Sequence, residues 1–267
     1  MKSYLFICLI FIPLITFCDQ PIMNMMPRWT GGHGYQILYE SIHRDNLLRS
    51  DDIIRKGWNE DINLLHIQGV YTWHRSIRIT AKLPVILNAE RENLINNQKV
   101  VQRDKGIGDL TLALPLKKYF NLLKRTGSWT LAPQIRIPLA SKDDYDISDR
   151  KWGGNIFIGY ETETRNYFFS TGASFWYMES DEPNEFHSSL DAGLNVKDNM
   201  QVLLETDFHN EEDGKQYLSL GPAIYYRKSD IIHMRFEFKK EMNARAPDNK
   251  LDHVGGYRLN LGIGFVY

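Results

Sequence analysis

The sequence predicts an all-β protein: one transmembrane, up-and-down antiparallel β-barrel of about twelve strands. Three observations lead there. Apolar and polar residues alternate with period two along most of the chain. Aromatic residues are plentiful (14 Tyr, 13 Phe and 6 Trp) although the mean hydropathy is only -0.40. The connections between alternating segments are also longer and shorter by turns, as in barrels with long outer loops and short inner turns.

The alternation is clearest at the C-terminus. Tyr257, Leu259, Leu261, Ile263, Phe265 and Tyr267 fall on one face, and Gly256, Arg258, Asn260, Gly262 and Gly264 on the other. Upstream, Ile232, Met234, Phe236 and Phe238 alternate with His233, Arg235, Glu237 and Lys239. Met200, Val202, Leu204 and Phe208 alternate with Gln201, Glu205, Asp207 and His209. The same holds for 186–197, 129–139 and 75–87. An apolar face can meet lipid while its polar partner lines a lumen.

Segments of this kind lie near 33–42, 60–72, 75–87, 107–120, 127–140, 152–164, 166–178, 185–197, 200–210, 215–227, 231–241 and 255–267. The first, third, fifth and later odd connections fall at 41–59, 88–106, 141–151, 179–184, 211–214 and 242–254, and those between them are mostly shorter. Pro84, Pro115, Pro133, Pro138 and Pro222 lie inside predicted strands, where a missing N–H interrupts a ladder, so bulges or breaks in pairing are expected there.

Composition excludes several classes. A net charge of -1 gives no electrostatic footprint for nucleic acid. No stretch beyond the N-terminus approaches the ~18 apolar residues of a spanning helix. At the N-terminus itself, Lys2 precedes a nearly apolar run from Tyr4 to Phe17, which reads as an export signal over 1–18. Cys8 and Cys18 lie in or beside that run, so the exported chain carries no disulfide and no thiolate site. Cys18 offers an alternative as a lipidation site, against which the bulky Phe17 argues. The expected organisation is a signal at 1–18, an irregular segment at 19–31 and a barrel at 32–267, located in the bacterial outer membrane.

Two motifs carry a resemblance. Gly31-Gly32-His33-Gly34-Tyr35 opens the first strand, and Gly106-Ile107-Gly108-Asp109-Leu110 opens the fourth. A strand reading Leu131-Ala132-Pro133-Gln134-Ile135-Arg136-Ile137-Pro138-Leu139 follows. This order resembles outer-membrane barrels of the phenol-degradation meta-pathway transporter type, over most of the exported chain. That family often has Pro-Thr-Gly where Pro138-Leu139-Ala140 stands here. The resemblance implies a channel or transporter-like barrel for small, often hydrophobic molecules and supplies no catalytic residues. A nucleotide-loop reading of Gly106-Ile107-Gly108 fails because the third glycine and the following helix are missing.

The lumen-lining candidates are Arg78, Lys82, Asp109, Arg136, Glu161, Asp191, Glu205, Asp207, Arg235, Glu237, Lys239 and Arg258. Inside a barrel they escape the roughly 2–4 kcal/mol cost of Arg or Lys facing lipid at midplane. Their ordinary role is to pair across the lumen; a subset forming a selectivity ring is the functional alternative. His187, His209 and His233 share lumen parity and are expected as isolated residues, with no metal and no cofactor. Met23, Met25 and Met26 belong to the irregular segment rather than a copper site, and Asp143, Asp144, Asp146 and Asp149 to a solvated outer loop rather than a calcium loop.

No enzyme activity is expected. His187 and Ser189 are similar to part of the outer-membrane phospholipase pattern, but Leu190 stands where that pattern continues with Asn-Gly. A closed structural or surface-interaction barrel remains the second reading, and a lipid-acting enzyme the third. Expected partners are membrane lipid, a small-molecule solute and the outer-membrane insertion machinery, which would engage the strand ending in Tyr267.

Overall fold

The computed structural model describes residues 30–140, 150–179 and 182–267. Among these residues the chain is all-β and forms a closed antiparallel barrel of twelve strands. The expected export signal, Cys18, the Met23–Met26 segment and the acidic run from Asp143 to Asp149 lie outside the described residues.

The strands are β1 (His33–Arg49), β2 (Asp52–His74), β3 (Ile77–Ile95), a broken β4 (Gln98–Ile107, Leu110–Ala113 and Leu116–Leu122) and β5 (Arg125–Ile137). They continue with β6 (Gly153–Glu163), β7 (Tyr167–Met178), β8 (Glu185–Lys197), β9 (Met200–Glu211), β10 (Gln216–Arg227) and β11 (Ile232–Arg245). The last, β12, is also broken, into Asp252–His253 and Tyr257–Val266. Each strand pairs with its neighbours in sequence. The ring closes where β1 pairs with β12, from Gly34↔Val266 to His43↔Tyr257. Closure leaves no unpaired edge, the requirement for a backbone surrounded by hydrocarbon.

The period-two pattern sorts side chains as the sequence predicts. Leu194, Leu204 and Leu261 point outward and are exposed, whereas Asp191, Glu205 and Asn260 on the same strands point inward and are buried. Outward aromatics mark the ends of the apolar band. Tyr35, Tyr71, Trp73, Tyr167, Tyr226 and Tyr267 ring the end holding the short turns, and Trp152, Tyr177 and Tyr257 lie toward the other.

The expected long loops at 41–59 and 88–106 are a correction. β1–β2 turns at 50–51 and β3–β4 at 96–97, so both stretches are strand that extends well past the apolar band. Asn96 and Asn97 take φ of 52° and 62°, the left-handed pair of a tight hairpin turn. At this level the outward face has become polar, with His43 bonded to Asp61 and Arg103 to Glu90. The extensions therefore stand in water, where a strand needs no apolar face and shows no alternation.

The prolines sit where the ladder is already interrupted. Pro84 pairs with His66 on one side, while its other side faces the break in β4 around Gly108–Asp109. Pro133 faces the second break, at Leu114–Pro115. Pro222 lies between the paired positions Leu220↔Lys240 and Ala223↔Glu237, where β10–β11 pairing lapses. At such a break proline's missing N–H costs the ladder no bond. Pro138 follows the end of β5.

Candidate functional site in the barrel interior

Inward side chains form three charged networks and a cavity between them. The first network spans β9–β12. Lys239 Nζ donates to Asp207 at 2.6 Å and lies 2.7 Å from Glu205. Tyr225 Oη lies within hydrogen-bond distance of Glu205 (2.7 Å) and Glu237 (2.8 Å) and shares its one proton between them. Asn260 donates to Glu237 at 2.7 Å, and Arg235 pairs with Glu237 while lying over the Tyr225 ring. Every carboxylate here has a cation or an N–H or O–H donor, as burial of charge demands. Beside it, Asp191 accepts from Ser170 at 2.6 Å.

The second network lines β3–β8. Glu161 accepts from Lys117 (3.0 Å) and Ser128 (2.7 Å). Arg78 is fully buried and donates to Tyr119. Arg136 lies 4.5 Å over the Trp176 ring and reaches Glu185 at 3.4 Å.

The third network fills the outer end, above the apolar band. Arg44 holds Glu241 through two nitrogens (2.9 and 2.7 Å) and Glu60 through a third (2.7 Å). Arg91 joins Glu60 to Asp252, and Lys215 pairs with Asp252 at 2.8 Å. Lower down, beside the outward Leu261 and Ile67, Arg258 lies 3.2 Å from Glu40, which also bonds His66 at 2.6 Å. β3 and β12 are separated by β1 and β2, so the Arg91–Asp252 pair links non-adjacent strands. Burial pushes the Glu60 carboxyl up, but Arg91 and Arg44 outweigh it and hold it at about 2. Burial likewise opposes ionisation of Asp252, and Lys215 with Arg91 brings it well below the usual carboxylate range. His253, fully buried and without a hydrogen bond to either ring nitrogen, is pushed by burial down to about 4.

The twelve residues expected to line the lumen do not share one role. Eleven join or flank these networks or the cavity. Asp109 instead accepts backbone N–H groups of Leu139 (3.2 Å), Ala140 (3.1 Å) and Arg150 (2.9 Å). It thus ties together the two roots of the connection between β5 and β6. Lys82 is exposed, but the space it faces is the interior cavity.

Sequence reasoning missed Arg44, Glu60, Arg91, Glu241 and Asp252, most of which fall in stretches read as loops. It also missed inward apolar patches: Ile42, Ile62, Leu64, Ile86 and Ala89 cluster on the β1–β3 wall, and Phe168, Leu203, Ala223 and Tyr225 near the short turns. Of the three histidines, His187 and His209 are brought together while His233 stands apart.

The cavity measures about 550 Å³ and is walled by β1–β8 and β11. Gln36, Gln68, Thr80, Thr111, Thr130, Gln134 and Ser189 offer hydrogen bonds, Phe157 and Phe168 offer rings, and Lys82, Arg235, Glu161 and Asp191 offer charge of both signs. That volume is within the range of small-molecule sites, about 300–1,000 Å³.

No protein-family model matches the chain, and no curated protein matches it in sequence. Solved structures do match in shape. An outer membrane channel from Pseudomonas putida F1 superposes with a TM-score of 0.73 at 12% identity, covering 93% of this chain and 100% of that one. The KdgM porin, in complex with disordered oligogalacturonate, gives 0.50 at 6% identity, covering 86% of this chain and 98% of that one. At these identities the likeness is one of fold, the twelve-stranded barrel that spans bacterial outer membranes.

Proposed function

We propose that this barrel is an outer-membrane channel for small solutes that carry both hydrogen-bonding and apolar groups. The observation that carries the reading is the cavity: hydroxyl, amide and ring side chains of Thr80, Thr111, Gln134, Phe157 and Ser189 face one space inside a closed barrel. Such a lining replaces hydration without holding the solute tightly, which conduction requires. The barrel neighbours named as channel and porin support the same reading.

The kinship with meta-pathway transporters is a finer part of this proposal. Its glycines have a clear structural use. Gly106 takes φ of 134°, and Gly108 N–H donates to Pro84 O at 2.8 Å, making the break in β4 that Asp109 then caps. The motif therefore supports shared architecture and, through it, a small and partly apolar solute. Export by the 1–18 segment and recognition of the Tyr267 strand by the insertion machinery complete the proposal.

The arrangement of His187 favours a channel over an enzyme. Its two ring nitrogens face Glu185 (2.8 Å) and His209 (3.2 Å), so neither is directed to Ser189 as a general base. The outer network linking β1, β3, β11 and β12 favours one second reading, a barrel closed at its mouth. Planar-bilayer recording separates them. Discrete, steady conductance steps from the folded protein are expected; silence from protein shown to be inserted would transfer the case to the closed barrel.

A further inference from the structure

A pair of inward histidines at the outer end of β8 and β9 belongs to none of the roles above. His187 and His209 are directly opposite in register, and Glu185 and Glu211 are opposite one step closer to the mouth. The four side chains thus form a square patch on one inward face.

Their hydrogen bonding fixes the chemistry. His187 Nε2 lies 2.8 Å from Glu185, and His209 Nε2 lies 2.9 Å from Glu211. A carboxylate can only accept, so each Nε2 carries its proton and each Nδ1 of a neutral ring presents a lone pair. The two Nδ1 atoms nevertheless face each other at 3.2 Å. Two lone pairs at that distance repel unless a proton or a cation lies between them.

We infer that this patch binds a first-row transition-metal dication, with Zn²⁺ as the reference ion. Two imidazole nitrogens on a tetrahedral zinc, each about 2.0–2.1 Å away, stand about 3.3 Å apart. The observed separation is 3.2 Å. A carboxylate oxygen of Glu185 completes a group of three donor atoms lying within 4.8 Å of one another. Imidazole with carboxylate suits zinc, copper or nickel rather than calcium or magnesium. Glu211, behind His209, supplies the usual outer-shell carboxylate of an imidazole-bound metal, orienting the ring and raising its basicity.

The surroundings hold the patch in place. His209 stacks on Tyr217 with ring centroids 4.8 Å apart. Arg136 lies 3.4 Å from Glu185 and Lys215 lies 3.7 Å from Glu211, so each carboxylate also has a cation partner. The His187 side chain is 38% exposed, against 9% for His209, which gives an ion entry from the water-filled side. Binding here does not depend on whether the lumen conducts.

Calorimetric titration of the folded, chelator-treated barrel in detergent with Zn²⁺ alone tests the inference, with Co²⁺ absorption reporting the coordination. One saturable Zn²⁺ per barrel is expected, with a Co²⁺ spectrum of nitrogen and oxygen ligation. Glu211→Gln should weaken binding by about 10-fold or more, as loss of an outer-shell carboxylate does, and His209→Ala by more than the about 100-fold upper end of that range. His66→Ala, which changes a histidine bonded to Glu40 elsewhere in the interior, should leave binding unchanged. His187→Ala, at the more exposed position, carries the test if His209→Ala does not fold. No saturable binding by the wild type, or equal binding after His187→Ala, would overturn the site and leave a proton shared between the two rings.

Discussion

Replacement of Arg44 by Met removes the central cation of the outer network at nearly constant volume. Arg44, Glu60 and Glu241 have side-chain accessibilities of 8%, 0% and 1%, so little water can take the lost partner's place. Glu60 keeps Arg91 at 2.7 Å. Glu241 loses both short contacts and keeps Arg258 at 3.9 Å with the N–H groups of Gly255 (3.0 Å) and Gly256 (3.3 Å). Breaking a buried pair costs about 3–5 kcal/mol, and these surviving partners put the cost at the low end, about 3 kcal/mol. With a urea dependence of about 3 kcal/mol per molar, the unfolding midpoint should fall by about 1 M. The assay is tryptophan fluorescence of the barrel in lipid vesicles across a urea series. Adding Glu241→Gln to the Arg44→Met variant should recover part of the loss, because it removes the uncompensated charge. A midpoint shift under about 0.3 M would refute the reasoning, since the network would then not hold the outer strands together.

Three further outcomes are expected. His253 has a folded-state value of about 4, below its unfolded value of about 6.5, so the unfolded chain takes up the proton first as pH falls. Stability should therefore drop by about 3 kcal/mol between pH 6.5 and pH 4, and His253→Gln should flatten the urea midpoint across that window. Ile158, outward and 56% exposed, should cost about 2–4 kcal/mol as Ile158→Arg in lipid vesicles, whereas arginine at the inward Thr130 should cost far less. Lys82→Gln removes a cation from the cavity; at about 7 Å in water a unit charge is worth about 0.6 kcal/mol, so the cation-to-anion permeability ratio read from reversal potentials should rise about threefold.

The strands from β5 to β12 were legible because each must show lipid an apolar face while its other face carries Arg136, Asp191, Glu205 or Glu237. β1–β4 were legible only where they cross the membrane. Above it, Arg44 and Glu60 pair across a hairpin with polar residues on both faces, which reads from sequence as loop. β2 hides its inward face differently. Ile62 and Leu64 point in while Leu65 and Ile67 point out, so period two leaves no contrast. The histidine patch was written in the chain as Glu185-Phe186-His187 and, reversed, His209-Asn210-Glu211. Only the register, which sets each residue's depth, shows that the two sequences are mirror partners. Likewise the parity of Asp109 was visible, but its bonds to Leu139, Ala140 and Arg150 depend on where the next connection returns.

The most direct measurement of whether solute passes through this interior is chemical block of a single open channel. Cys8 and Cys18 are replaced by alanine, and one cysteine is introduced either at Ser189, which faces the cavity, or at its outward neighbour Leu190. A water-soluble thiol reagent added during bilayer recording should step the conductance down in Ser189→Cys and leave Leu190→Cys unaffected. Unchanged current after complete labelling of Ser189→Cys would contradict a conduction path through the cavity.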